Sequence, residues 1–166
     1  MAKKKIQKTN AVRLLEQKKI PFELKEYEVE DGQIDGTSVA KKTGEAFEHV
    51  YKTLVAMHER ERFVFLIPVD QTLDLKKAAQ AVGVKKIEML PLSELTKETG
   101  YVRGGCAAVG MKKLFPTYIE ERAKEQETIV VSAGKVGLQM VVSPLDLADV
   151  TEAKFTSLIV EEESNV

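Results

Sequence analysis

Four of the ten glycines fall in eleven consecutive residues, Gly100-Tyr101-Val102-Arg103-Gly104-Gly105-Cys106-Ala107-Ala108-Val109-Gly110. Glycine costs conformational entropy on folding and is useful where the chain takes a positive φ or where another group must approach the main chain closely. The stretch therefore has two readings: a pocket wall that offers peptide N–H groups to a ligand, or a bulge or tight turn without one. Lys52 is the second chemical signal. It stands in the segment from Val50 to Met57, where Val50, Leu54 and Ala56 alternate with Tyr51, Val55 and Met57, so a strand here is apolar on both faces. An unpaired buried ammonium is costly. This lysine either escapes at a strand end or meets an anionic or polar ligand, and Thr53 beside it points to the opposite face.

Several reactive constellations are missing. His49 and His58 are the two histidines; their odd separation puts them on opposite faces of one strand, and neither a zinc pair nor a Ser-His-Asp triad is visible. Gly105 to Lys112 lacks the Gly-Lys-Ser/Thr ending of a phosphate loop. Ser132 lies between Val131 and Ala133, outside any Gly-x-Ser-x-Gly frame. Cys106, the one cysteine, has no base near it in sequence and reads as an inert buried thiol. A lysine, glycine amides and hydroxyls remain. Such a set suits holding a carbonyl or carboxyl group more than driving proton transfer, and neither a metal nor a cofactor is expected.

The elements that must position these groups follow from patterning. With 166 residues, 43% hydrophobic, the chain fits one domain over 1–166, with 1–8 and 160–166 expected to be flexible and Glu161-Glu162-Glu163 a disordered tail. Its 25 basic and 26 acidic side chains nearly cancel, which argues against a general nucleic-acid coat and leaves room for a local basic face. One cysteine and no early apolar run after Lys3-Lys4-Lys5 point to a reducing cytoplasm, and the longest apolar runs, such as Phe63 to Pro68, fall far short of a membrane span.

Periodicity predicts a helix from Thr9 to Lys19, capped by Thr9 or Asn10 and closed by Pro21, then a strand from Phe22 to Val29 in which a register change turns Tyr27 inward. Thr37 is expected to cap a short helix ending at Gly44. A strand from Phe63 to Val69, a helix from Leu73 to Val82 stopped by Gly83, a strand from Ile87 to Leu90 and a helix from Ser93 to Thr99 stopped by Gly100 follow. Beyond the glycines, Met111-Lys112-Lys113-Leu114-Phe115-Pro116 forms a basic lip, and Thr117 to Glu121 leads into a turn of helix. Thr128 to Ser132 and Val136 to Val142 make a hairpin reversing at Ala133-Gly134-Lys135, and Pro144 starts a last helix. About seven strands with scattered short helices and no regular βαβ alternation give an α+β fold: a mixed sheet or partly closed β-barrel surrounded by short helices.

Lys52-Thr53-Leu54 after Val50-Tyr51, the run from Tyr101 to Lys113, Phe115-Pro116-Thr117, and Ser132 to Gln139 stand in an order that resembles the YbaK/EbsC family of aminoacyl-tRNA deacylases, similar to the editing domain of bacterial prolyl-tRNA synthetases. The resemblance runs from about Thr9 to Phe155 and includes Leu73-Asp74-Leu75-Lys76-Lys77 and Asp146-Leu147. It implies a mixed α+β barrel and hydrolysis of misacylated tRNA, chiefly Cys-tRNA(Pro), alongside prolyl-tRNA synthetase. Carried over by motif, Lys52 and Gly104 would act at the scissile ester, with Tyr27, Thr53, Gly105, Ser132 and Gln139 completing the substrate pocket and Arg103, Lys112, Lys113 and Lys135 near the tRNA backbone. In YbaK members the substrate's own thiol attacks its ester, which would account for the missing base. The chain departs from the family pattern at Ala107-Ala108, where Ser-Pro is common, at Gln139, where some members are acidic, and at Val136, where arginine is frequent. The resemblance also allows an editing enzyme for Ala-tRNA(Pro), or a paralogue that binds tRNA ends or a synthetase without hydrolysis.

Overall fold

The computed structural model describes residues 8–29 and 31–161. The flexible ends and the disordered acidic tail expected from sequence lie outside these residues, apart from Lys8, Val160 and Glu161. Helix α1 (Asn10–Gln17) begins where expected: the Thr9 hydroxyl accepts the Val12 N–H at 3.2 Å and donates to the Ala133 carbonyl, which pins the helix start to the hairpin downstream. Strand β1 (Phe22–Glu26) stops earlier than predicted, and Tyr27 continues it only through its N–H, donated to the Gly137 carbonyl at 3.0 Å.

Helix α2 (Gly36–Thr43) is capped by Asp35, not Thr37. Both side chains are able to cap, but the Asp35 carboxylate takes the Ser38 N–H at 3.2 Å and the Thr37 hydroxyl at 2.9 Å, so the threonine serves the cap instead of being it. After a short 3₁₀ turn (Phe47–His49) come β2 (Tyr51–His58) and β3 (Glu61–Pro68), paired antiparallel along their whole length. Helix α3 (Leu75–Val82) and helix α4 (Leu92–Thr99) flank the two-residue strand β4 (Glu88–Met89), and both helices end at glycines in the left-handed region, Gly83 and Gly100. The segment from Thr117 leads into a helical turn as expected: it forms strand β5 (Thr117–Glu120), and a 3₁₀ turn (Glu121–Glu125) follows directly. The hairpin of β6 (Ile129–Lys135) and β7 (Leu138–Val142), helix α5 (Pro144–Thr151) and a short strand β8 (Lys154–Thr156) complete the chain.

Among the described residues eight strands form two sheets, β1-β7-β6 and β4-β2-β3-β5-β8, with β3, β5 and β8 mutually parallel. The sheets meet at one parallel bridge between Val50 and Val130, and among the described residues the ladders do not close into a barrel. The α+β class holds, as two sheets. The main core lies between them: Tyr51, Val55, Val64, Leu66 and Ile119 from one face meet Ile129, Val131, Leu138 and Met140 from the other, with α1 included. The opposite face of the larger sheet, through Ala56, Phe63, Phe65 and Ile67, packs on Ala78 and Ala79 of α3. That double coverage explains why β2 and β3 are apolar on both faces. Strand β4 pairs with β2 only at Ala56 and Met57, so the outer edge of β2 is uncovered by β4 around Lys52 and Thr53. Among the described residues no helix is long and apolar enough to cross a membrane.

The histidines do not share a strand. His58 ends β2, and its Nδ1 donates to the Lys86 carbonyl at 2.8 Å. His49 sits in the 3₁₀ turn, with Nδ1 at 2.7 Å from Glu45 and Nε2 at 3.2 Å from the Thr128 hydroxyl. Glu45 also pairs with Lys25, so one cluster ties β1, the turn before β2 and the start of β6 together. Hydrogen bonds from Lys25 first, then His49, hold the Glu45 carboxyl below its ordinary value of 4.5. A carboxyl lowered in the folded state contributes stability that is present above its unfolded value and is lost as pH falls through the folded one. We expect Glu45→Gln to lower the melting temperature at neutral pH, with the difference from wild type shrinking as pH is taken below about 4. A difference that stays constant down to acid pH would show that the charge does not fasten the cluster.

Candidate active site

A cavity of about 340 Å³ opens at the uncovered edge of β2. It brings together Lys52 and Thr53 from β2, Tyr27 after β1, Arg103 and Gly104 from the glycine-rich loop, and Ser132 and Gln139 from the β6–β7 hairpin. Ser132 and Gln139 are opposite one another in the antiparallel ladder, so their side chains share a face. That face differs from the one formed by Val131 and Met140, which enters the main core. Gly105, Lys112, Lys113 and Lys135 do not line the cavity. Of the three lysines, Lys113 and Lys135 are exposed, and exposed Lys112 donates to the Lys97 carbonyl at 3.3 Å while its stem lies over Gly100.

The glycine-rich stretch is irregular along its length, and its glycines serve different ends. Gly104 has φ +82°, a left-handed conformation, and its carbonyl accepts the Tyr27 hydroxyl at 3.4 Å. Gly105 donates its N–H to the Val102 carbonyl at 3.0 Å and so closes a turn. A Cβ on Gly105 would stand 2.7 Å from the Val136 nitrogen. This glycine is required by backbone packing against the hairpin, and its N–H is occupied within the loop, so the wall of free peptide N–H groups is narrower than the sequence suggested. The loop is fastened at its ends by Tyr101, whose hydroxyl donates to the Val109 carbonyl at 2.8 Å and whose N–H donates to the Thr99 hydroxyl at 3.1 Å. Burial raises the Tyr101 phenol to about 12, so it remains a neutral donor.

Charge in the cavity is sparse. Desolvation lowers the pKa of Lys52, opposed by the through-space attraction of Asp70. Asp35, which sequence inspection passed over as part of a turn, also lines the cavity, but hydrogen bonds from Ser38 and Thr37 hold its carboxyl down at about 2. A carboxylate so stabilised is a poor base. Cys106 lines the wall too, 8% exposed, and burial pushes its thiol up to about 11, so it is largely protonated at neutral pH. No histidine or glutamate among the described residues reaches the cavity. Among the described residues no group of three His, Cys, Asp or Glu side chains converges as a metal site would need.

Sequence reasoning also missed the apolar side of the cavity. Met89 comes from β4, Leu90 from the link after it, and Leu92 and Leu95 from α4, while Ile34 closes over Gly104. Met89 and Leu92 are 41% and 60% exposed, a signal visible only once the chain is folded. Ala107 and Ala108, by contrast, are buried in the main core and do not line the cavity. The arrangement has donors, the cations Lys52 and Arg103 and an apolar wall, which bind and orient a carbonyl-bearing ligand, and among the described residues it lacks a side chain suited to take a proton near neutral pH.

Comparison with known proteins extends the geometry. Residues 35–150 match the aminoacyl-tRNA editing domain. A protein of Enterococcus faecalis named as a Cys-tRNA(Pro)/Cys-tRNA(Cys) deacylase, EbsC, is 44% identical over 164 residues, covering 98% of this chain and 100% of its own. A crystal structure described as a trans-editing enzyme for prolyl tRNA synthetase is similar at TM-score 0.82 and 22% identity, over 92% of this chain and 96% of that one. The hypothetical protein APE2540 matches at TM-score 0.83 and 16% identity, over 92% and 100%. At these identities the two structures speak for the fold alone.

Proposed function

Because this chain belongs to the aminoacyl-tRNA editing domain family, we infer that it is a free-standing deacylase of misacylated tRNA, acting on Cys-tRNA(Pro). The observation that carries this reading is the cavity that unites Lys52, Gly104 and Ser132 while holding, among the described residues, no histidine, glutamate or weakly held carboxylate. A pocket of that kind contributes by orientation. Lys52 holds the carbonyl or a terminal phosphate of the aminoacylated 3′ end, and the Gly104 peptide, steadied by Tyr27, borders the ester. Ser132, which already accepts the Gly134 N–H at 3.2 Å, has its hydroxyl proton left to donate.

The nucleophile is then the substrate's own thiol. Its sulfur forms a bond to the ester carbonyl carbon, the carbon–oxygen bond to the ribose breaks, and the thiol proton ends on the released ribose oxygen. Free tRNA and a thiolactone result, and water opens the thiolactone to cysteine. Orientation of reacting groups within one molecule supplies on the order of 7–11 kcal/mol of barrier lowering, so no base is needed from the protein. Exposed Arg103 at the cavity, with Lys112, Lys113 and Lys135 outside it, supplies the local basic face for the tRNA backbone. Prolyl-tRNA synthetase is the natural partner, and the cytoplasm the natural compartment. Ala107 and Ala108 pack in the core, so the departure from Ser-Pro there removes no group from the cavity wall.

Incubation of the protein with Cys-tRNA(Pro) and Pro-tRNA(Pro), followed by the loss of labelled amino acid, tests the reading. Cysteine should be released and proline retained. Retention of both would sink it.

A further inference from the structure

Strand β1 ends its sheet: β7 pairs with one side of it, and among the described residues no strand pairs with the other. Such an edge is a row of N–H and C=O groups able to pair with another chain. The register says which residues present them. Tyr27 donates to the Gly137 carbonyl, so Glu23 and Lys25, an even number of residues away, also turn their main-chain groups to β7. Phe22, Leu24 and Glu26 turn theirs outward. The side chains alternate as well. Phe22 and Leu24 lean on the main core, while Glu23 and Lys25 stand on the opposite face. Glu23 is exposed and makes no ion pair among the described residues, and the Lys25 side chain keeps 34% of its surface open although it pairs with Glu45.

The charges on this edge select its occupant. An antiparallel strand laid against Glu23-Leu24-Lys25 must offer a cation opposite Glu23, an apolar residue opposite Leu24 and an anion opposite Lys25. Read in its own direction, that complement is an acidic, an apolar and a basic residue, the order of β1 itself. Hydrogen bonding narrows the register further, because only outward residues can face one another across the new pair. A two-fold axis through Leu24 meets this condition and sets Glu23 against the partner's Lys25 on both sides of the axis. Sliding by the smallest permitted step sets Glu23 against the partner's Glu23, or Lys25 against the partner's Lys25, and like charges then meet on the axis. We propose that the chain self-associates through β1, by two-fold antiparallel pairing centred on Leu24 that joins two three-stranded sheets into one continuous sheet. The strand has five residues, so the contact is small and the association concentration-dependent. None of Phe22 to Glu26 lines the cavity, which leaves dimer formation separable from turnover.

The test is sedimentation of the full chain from about 1 µM to about 1 mM, with amide hydrogen exchange read residue by residue at both ends of that range. Wild-type protein should pass from monomer to dimer. Exchange at Phe22, Leu24 and Glu26 should slow as concentration rises, whereas Glu23 and Lys25, already bonded to β7, should not change. That alternation is specific to edge pairing, since a dimer built on any other surface leaves the outward amides as they were. Glu23→Lys places like charges opposite one another on both sides of the axis and should weaken the dimer at least about tenfold. Glu23 is exposed, so the dilute variant should melt at the wild-type temperature and deacylate Cys-tRNA(Pro) at the dilute wild-type rate. A wild-type chain that stays monomeric throughout, a dimer that Glu23→Lys leaves intact, or outward amides indifferent to concentration would overturn the pairing. The exchange pattern of wild type decides the matter even if the variant fails to fold.

Discussion

Lys52→Met should lower kcat/KM for Cys-tRNA(Pro) by about a hundredfold or more while leaving the melting temperature at or above that of wild type. The two effects separate because they have different physical sources. Folding draws little from this ammonium: desolvation disfavours its charged form, and the distant attraction of Asp70 opposes that only in part. Methionine keeps the length of the stem and removes the cost. Turnover, in contrast, loses on the proposed reading a charge directed at the acyl or phosphate oxygens, where one well-placed donor is worth about 10²–10³ in rate. The lowered pKa also gives a sign in pH. Lys52 loses its proton at a lower pH than a free lysine with its ordinary value of 10.5, so activity should fall on the alkaline side earlier than a solvated lysine would allow. Steady-state rates and thermal melts on the same preparations check both parts. A variant that is unstable, or one that turns over like wild type, would contradict this assignment.

Gly105→Ala should be far more damaging than the same change at its neighbour Gly104, costing about 2–3 kcal/mol or more of stability. Its Cβ would stand 2.7 Å from the Val136 nitrogen and 3.0 Å from the Lys135 carbonyl carbon. Those are backbone atoms of a paired hairpin, which do not step aside as a side chain would. The hairpin carries Ser132 and Gln139, so activity should fall along with stability. Gly104→Ala provides the contrast. There the nearest atom is Ile34 Cδ1 at 2.9 Å, the end of a flexible side chain, and the main cost is the φ of +82°, about 1–2 kcal/mol. Denaturant titration of the two variants gives the order directly. A Gly105→Ala protein as stable as wild type would mean that the loop does not rest on the hairpin.

Local chemistry made part of this fold legible from the chain alone. Thr9, Gly83 and Gly100 mark helix ends because their conformational roles depend on few neighbours. Lys52 stood out because a charge in an otherwise doubly apolar strand demands an explanation wherever the strand is placed. Asp35 was missed as the cap because Asp35 and Thr37 are both capping types two residues apart, and only folding shows which carboxylate or hydroxyl reaches the Ser38 N–H. The burial of β5 was not legible because it ends in Glu120, a charged residue only 1% exposed; its carboxylate accepts the Leu158 N–H at 3.0 Å and the Arg122 N–H at 2.9 Å, and Leu158 is 38 residues away. β8 has three residues and pairs only with β5, so it carries no periodicity to read. The role of Gly105 was hidden for the same reason, since its constraint comes from Val136. Residue types at the site were thus readable, whereas the geometry that commits Gly105 to packing arises only when distant segments meet.

Deacylation rates of Cys-tRNA(Pro) and Ser-tRNA(Pro), measured side by side with wild-type protein, test most directly whether this cavity positions a substrate that supplies its own nucleophile. The two acyl groups differ by one atom, sulfur for oxygen. Rapid release of cysteine with serine left on the tRNA is the predicted result; equal rates for both, or no release of cysteine, would contradict it.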